Sequence, residues 1–490
     1  MNKIIIVFIL QFALAIPAYV ESYTYGDSKL PTLVIRKMLS NKDFEKLNIT
    51  LADYQKAYEK DVRNEDDLLD AYLAFSVNDL HYEALLNEWV KSHPNSYQSY
   101  LARASYFFNL GWKSRGTKWA SETTDKQIEK MESYFSKANQ DIEKVLIIKT
   151  DHIVPYYFLI HMYKASGGAG QVKAIVKKAL EKCPDSFKIR SAYLLSITPR
   201  WGGTYEEMDE FATESQKSAF KNPRLKALKG YVFYDTGNME KQSKNYGVAL
   251  EFLNKALLFG DLALFYNERA TIYEHLEKLD EALKDINLAI EMSSQNADFY
   301  STRSRILSNK KMMQEALKDI EIANLLDPND EYIIKLNKWI ADKFMSSGHS
   351  KQKAKDFSGA IKDYTAAIQA NPENSYSYYS RARVFVDKKD LSSAFTDLKK
   401  AIKLDPNVFD FYQLMDWLLT QKSDWGGIIN YWSRYIALNP KNDRAYLERG
   451  GAYFRKGDLA SAVADAKRAA DLGNAKGQEM YDKLKSRAKK

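Results

Sequence analysis

Residues 341–476 divide into four consecutive 34-residue segments without a gap, starting at Ala341, Ser375, Phe409 and Asp443. The fourth residue of each is aromatic: Phe344, Tyr378, Tyr412 and Tyr446. The twentieth is Ala360, Ala394, Ile428 and Ala462, the twenty-seventh Ala367, Ala401, Tyr435 and Ala469, and the thirty-second Pro372, Pro406, Pro440 and Asn474. Small residues let two short antiparallel helices approach closely, and the aromatic fills the gap beside them. The proline lacks an N–H and disfavours helix just before it, so the second helix ends there. One such hairpin cannot bury its apolar face alone, whereas a stack of them can.

This spacing resembles the tetratricopeptide repeat, which adds a small residue at position eight (Gly348, Ala382, Gly450) and an aromatic or leucine at eleven (Phe385, Leu419, Tyr453). The resemblance implies an all-α, right-handed superhelical solenoid. Extending the template toward the N-terminus gives about eleven helix-turn-helix units. Units at Ala263 and Ala297 keep the 34-residue period, with Ala282, Ala289, Ala316, Ala323 and Pro328 in register. The stretch Glu331–Ile340 is an apolar spacer that extends a helix. Before Ala263 the units are degenerate. One begins at Arg63, another at Tyr97 and another at Ile153, and the unit at Tyr97 carries about 22 additional residues between its helices. That insert, 112–134, is expected to be a surface loop holding Trp112, Arg115, Gly116 and Trp119.

A later run, Arg200, Trp201, Gly202, Gly203 and Thr204, reads as a tight turn with glycines in left-handed conformation, followed by a Thr204–Glu207 capping box. Asp424, Trp425, Gly426 and Gly427 are expected to form the same turn in a regular unit. The two tryptophan-rich runs over about residues 30–240 resemble an uncharacterised bacterial family of unknown function. That resemblance implies a bacterial origin and a discrete N-terminal module, and it transfers no activity.

The organisation expected is a signal peptide at 1–18, a degenerate module at 19–262, a regular array at 263–476 and a basic tail at 477–490. Lys3, the apolar run from Ile4 to Ile16 and the small residues Ala15 and Ala18 carry the signal reading. Export to the periplasm is the expectation, with secretion or an uncleaved N-terminal anchor as alternatives. No later segment is apolar for long enough to span a bilayer. Cys183 stands alone, so no intramolecular disulfide can form, and a buried thiol is the ordinary outcome.

The 72 basic and 64 acidic residues are spread along the chain, and no basic run interleaved with aromatics precedes the tail, so nucleic acid is not an expected partner. The six histidines lack metal-ligand spacing, and Gly167, Gly168 and Gly170 lack the phosphate-loop pattern. No cofactor or metal is implied, and the chain reads as a binder and not as an enzyme. In the repeats it resembles, the first helix of each unit lines a concave groove with positions two, five, nine and twelve. Here those include Asn267, Arg305, Tyr379, Arg383, Gln413 and Trp417, suited to an extended or helical peptide or a protein. The Lys and Asn set that grips a C-terminal carboxylate in chaperone-binding members is absent. The alternative is a small-ligand binder or enzyme built from Trp112, Arg115, Trp119, Arg200 and Trp201. The partner's identity and the oligomeric state are not legible in the sequence.

Overall fold

The computed structural model describes residues 30–116 and 122–487, and among them it contains 25 α-helices and no strand. The signal segment read at 1–18 and Trp119 lie outside the described residues. No described helix is long and apolar enough to cross a membrane. Packing divides the chain into two compact units, residues 1–228 and 229–490.

The first unit holds α1 (Pro31–Ser40), α2 (Phe44–Lys60), α3 (Glu65–Leu73), α4 (Leu80–Ser92), α5 (Tyr97–Arg115), α6 (Asp125–Ile148), α7 (Ile153–Ala165), α8 (Ala169–Lys182), α9 (Phe187–Ser196) and α10 (Tyr205–Gln216). Its core is aromatic. Trp89 is fully buried and stacks on Phe44 at 5.9 Å, and Phe108 stacks on Phe158 at 4.5 Å. Glu65, with no exposed surface, accepts from Ser186 Oγ at 2.8 Å and from the backbone N–H groups of Phe187 and Lys188 at 3.1 and 3.0 Å. Its carboxylate thereby satisfies orphan donors at the positive end of α9 and ties α3 to it. Cys183 is buried at the end of α8, and burial pushes its thiol up to about 12, a range in which it does not react as a thiolate.

The expected loop at 112–134 is mostly helix. Trp112–Arg115 complete α5, Asp125–Tyr134 open α6, and only residues 116–124 lie between the two. The cause is local. Thr124 and Gln127 form a capping box that starts α6 early. Met131, Phe135, Ala138, Ile142 and Val145 then continue one apolar face. Gly111 lets Phe135 lie against α5, since a Cβ there would come within 2.4 Å of its ring.

The second unit comprises α11 (Gly230–Gln242), α12 (Tyr246–Leu257), α13 (Ala263–His275), α14 (Leu279–Met292), α15 (Ala297–Asn309), α16 (Met313–Leu326), α17 (Glu331–Lys353), α18 (Phe357–Ala370), α19 (Ser375–Asp387), α20 (Leu391–Leu404), α21 (Phe409–Thr420), α22 (Trp425–Leu438), α23 (Asp443–Lys456), α24 (Leu459–Asp471) and α25 (Ala475–Arg487). Successive helices pair as hairpins from α11–α12 to α23–α24, each packs on the next, and α25 covers the last. The spacer at Glu331–Ile340 is the first part of the continuous helix α17. Ala360, Ala367, Ala394, Ala401, Ala462 and Ala469 have no exposed surface, as close helix approach requires.

Two devices recur from unit to unit. An arginine on the first helix forms a two-pronged ion pair with an aspartate sixteen residues on: Arg269–Asp285, Arg303–Asp319, Arg381–Asp397 and Arg449–Asp465, with Nε–Oδ2 distances of 2.6 to 2.8 Å. The remaining guanidinium nitrogen, Nη1, reaches back to the preceding hairpin, to Asn254, Asn287, Thr365 and Ser433 respectively. Each arginine thus fixes its own hairpin and the one before it. Between the two helices one residue always adopts positive φ: Lys244 in the α11–α12 hairpin, then Glu277, Lys311, Lys355, Lys389, Ser423 and Gly457 in the six regular ones.

The two tryptophan–glycine–glycine runs do not form the same turn. Gly202 is left-handed at φ +89°, and Thr204 caps α10 with the expected box. In the other run the positive φ falls on Ser423, and Asp424 Oδ1 accepts from Gly427 N–H at 2.8 Å, so Trp425, Gly426 and Gly427 already form the first turn of α22. The capping side chain sits four residues earlier relative to the glycines, and that shift moves the helix start.

Candidate functional site

In the second unit, the residues expected to line a groove fall on the first helices of successive hairpins. Tyr379 and Arg383 lie on α19, with the guanidinium 5.9 Å from the Tyr379 ring centre and that ring 4.9 Å from Phe411. Gln413 and Trp417 lie on α21, where Trp417 remains 43% exposed. Asn267 on α13 is buried. Arg305 on α15 is bound to Glu274 at 2.8 Å, and Glu274 also accepts from Asn309 at 2.8 Å, so this arginine is committed within the array. Beside Arg383 the first helices α17 and α19 enclose a cleft of about 450 Å³ lined by His349, Gln352, Lys353, Lys355, Phe357, Arg383 and Asp387. Gln352 donates to Asp387 at 3.2 Å. Lys353, Lys355 and Arg383 bring positive charge to the lining, and Phe357 is its large apolar member.

In the first unit the structure brings together residues from the two tryptophan-rich runs. Trp112 and Arg115 occupy the last turn of α5, where Gly116 at φ +74° ends the helix and Gln127 Nε2 donates to the Arg115 carbonyl at 3.2 Å. Phe108 and Phe135 pack edge-on against Trp112 at 6.4 and 6.1 Å. Trp201 is presented by the Pro199–Trp201 turn. Arg115 lies 6.0 Å from the Trp112 ring centre and 5.5 Å from that of Trp201. Arg115 itself is 9% exposed.

Lys164, on the last turn of α7, lies 5.6 Å from Trp112 and 4.8 Å from Trp201, so the two cations share the two indoles. Burial, followed by the charges of Arg200 and Arg115, lowers the Lys164 ammonium to about 8. Sequence reasoning missed Lys164. It stands twelfth in the unit that begins at Ile153, a groove position in the repeat template, and carrying that template into the degenerate units would have found it. Behind it His161 is held neutral, burial lowering it to about 3.

Comparison with known proteins agrees with this architecture. The tetratricopeptide repeat family matches residues 346–408 and 429–476, and a second tetratricopeptide repeat profile matches 263–296. A domain of unknown function (DUF4034) matches 32–133. The small glutamine-rich tetratricopeptide repeat-containing protein 2 of Mycosarcoma maydis is 26% identical over 139 residues, 28% of this chain and 38% of that protein. The Hsp70-Hsp90 organizing protein of Triticum aestivum is 24% identical over 200 residues, 35% of this chain and 34% of that protein. The chain thus spans little more than a third of the length of these curated relatives. Among solved structures, YrrB, described as a tetratricopeptide-repeat protein with an unusual peptide-binding site, is 19% identical, covering 42% of this chain and 98% of that one, with a TM-score of 0.26. The chain carries tetratricopeptide repeats, together with a DUF4034 region in its first unit.

Proposed function

We propose that this tetratricopeptide-repeat chain is an exported scaffold whose second unit binds an extended segment of a partner protein, one rich in acidic and aromatic side chains. The observation that carries the reading is the cleft between α17 and α19. It offers Lys353, Lys355 and Arg383 around Phe357, with the exposed indole of Trp417 on the next first helix, α21. Cationic side chains beside an apolar one suit a carboxylate-bearing peptide, and exposed aromatics supply anchors with little entropy to lose. A relative named as an Hsp70-Hsp90 organizing protein supports a scaffold reading, and the N-terminal apolar run supports export.

The experiment is capture from a cell-envelope extract on immobilised wild type and on an Arg383→Glu, Trp417→Ala double variant of equal thermal stability. A partner held by wild type and lost by the double variant is the expected result. Equal recovery of every captured protein would remove the groove from the account.

A further inference from the structure

Charge is segregated between two helices of the first unit. α8 carries Lys173, Lys177, Lys178 and Lys182 against the single acid Glu181, and α10 carries Glu206, Glu207, Asp209, Glu210 and Glu214 with no base. All of these side chains are exposed. Among the described residues none of the four lysines forms an ion pair or a side-chain hydrogen bond, and neither do Glu206 and Glu210. Lys173 and Lys177 stand four residues apart, as do Lys178 and Lys182, and Glu206, Glu210 and Glu214 follow at the same interval. Like charges are therefore neighbours along each stripe and destabilise the helix that bears them. In α12 the same interval joins opposite charges, Glu251 and Lys255. The helix macrodipole favours Glu206 and Glu207 in the first turn of α10, but it gives no support to Glu210 or to Glu214 near the other end. Glu214 is offset only by exposed Lys217.

We propose that the first unit pairs with a second copy of this chain, the lysine face of α8 in each copy lying against the glutamate face of α10 in the other. Both helices pack against α9, so one compact unit carries the two opposite faces on either side of a shared neighbour. A two-fold axis lying between α8 and α10 turns α8 of each copy onto α10 of the other and satisfies both faces twice in one closed interface. The pairing of α8 with α8 sets lysine against lysine and is disfavoured by repulsion. A purely anionic surface would suit α8 and repel α10, whereas a second copy presents both signs. The 14 residues of α8 and 12 of α10 give faces about 21 and 18 Å long. At a helix width of about 10 Å they cover roughly 400 Å² per copy, about half of what a standard interface buries on each side. The association is accordingly weak, carried by charge and sensitive to salt. It involves neither α17 nor α19, so it stands or falls independently of the proposed groove.

The test is sedimentation velocity on the full chain over a concentration series, in about 20 mM and about 500 mM sodium chloride, on either side of the range where surface charges become screened. Wild type should form a dimer whose dissociation constant rises at least about tenfold between the two salts. Lys177→Glu, Lys178→Glu should be monomeric at low salt, and so should Glu206→Lys, Glu210→Lys. Mixed in equal amounts, the two variants should form a one-to-one dimer, because each then offers to the other the charges it lacks. Lys399→Glu, Lys403→Glu on α20 makes the same change of net charge in the second unit and should leave dimerisation intact. Thermal melting establishes that each variant folds, and Glu210→Lys, Glu214→Lys replaces the first acidic variant if that one melts early. A wild type that stays monomeric at low salt, a dimer that survives either reversal, two variants that ignore each other when mixed, or loss of the dimer in the α20 control would overturn the proposal.

Discussion

Arg103 on α5 and Asp141 on α6 form a two-pronged ion pair, Nε–Oδ2 2.9 Å and Nη2–Oδ1 2.7 Å, across 38 residues of chain, where the equivalent pairs of the second unit span 16. The difference, 38 − 16 = 22, is the length of the insertion. Arg103 Nη1 meanwhile donates to Asn87, 16 residues earlier, as its counterparts do. The insertion therefore lengthens both helices outward from the clasp and leaves the clasp at its place in the repeat.

Breaking that clasp from one side should be costly, because Asp141 is 5% and Arg103 21% exposed at the side chain. Asp141→Ala is expected to cost about 2 to 3 kcal/mol, below the usual figure for a fully buried pair because the arginine is partly solvated. Arg103→Met with Asp141→Leu should recover most of the loss, since apolar replacement of both partners removes the desolvation penalty. Urea denaturation with hydrogen exchange read over α5 and α6 checks this. A double variant as unstable as the sum of the singles would mean the two groups are not coupled.

The residue between paired helices is left-handed in every regular hairpin, yet it is Lys in three of the six: Lys311, Lys355 and Lys389. Only Gly457 avoids the Cβ penalty. Lys389 is exposed, with φ +63°. Lys389→Gly should therefore stabilise the chain by about 0.5 to 1 kcal/mol, the left-handed penalty relieved less the extra entropy of glycine when unfolded. A rise in melting temperature checks it, and a fall would show that the lysine contributes contacts worth more than its backbone strain.

That turn shows why the architecture was legible in the sequence while its fixings were not. Alanine, aromatic and proline positions encode helix contact and helix end directly, and those residues report hairpins wherever the period holds. A lysine in left-handed conformation carries no compositional mark, and an Arg–Asp clasp looks like two solvated charges until the helices are paired. Where the clasp is missing, the substitutes are just as opaque: Lys351 Nζ lies 2.7 Å from Asp363, and Trp432 Nε1 donates to Asp416 at 2.6 Å. The cation–indole cluster was half legible. The tryptophan-rich runs stood out, but Lys164 between them sits in an apolar helix of ordinary appearance.

The first unit should lose stability in acid through two histidines. His152 is fully buried, and burial lowers both His152 and His161 to about 3. Unfolded, each takes a proton near about 6.5. Below that pH the unfolded state binds the extra protons, so the stability of the neutral imidazoles, complete above about 6.5, is lost as pH falls toward 3, by up to about 1.4 kcal/mol per pH unit for each. Asp70, which burial raises to about 6, acts in the opposite sense, since its folded form holds the extra proton between about 6 and 4 and offsets one histidine there. His161→Phe, placed among Phe108 and Tyr157, should remove one proton from the slope. Urea midpoints at pH 7, 5 and 4 that fall in parallel for wild type and variant would show that His161 does not titrate in this way.

The groove residues should separate into those that hold the array and those that are free to bind. Arg305 and Trp417 occupy comparable places on first helices, but Glu274, the carboxylate facing Arg305, is 7% exposed at its side chain, and burial already raises its protonation range. Arg305→Ala leaves that carboxylate with Asn309 as a remaining donor, and is expected to cost about 2 kcal/mol. Glu274→Gln should lessen that cost by removing the unpaired charge. Trp417→Ala, at a side chain 43% exposed, should change stability by no more than about 0.5 kcal/mol while weakening capture of the groove partner. Thermal melts of the three variants beside the capture assay settle the division. A Trp417→Ala variant that melts early, or an Arg305→Ala variant as stable as wild type, would reverse the roles of the two residues.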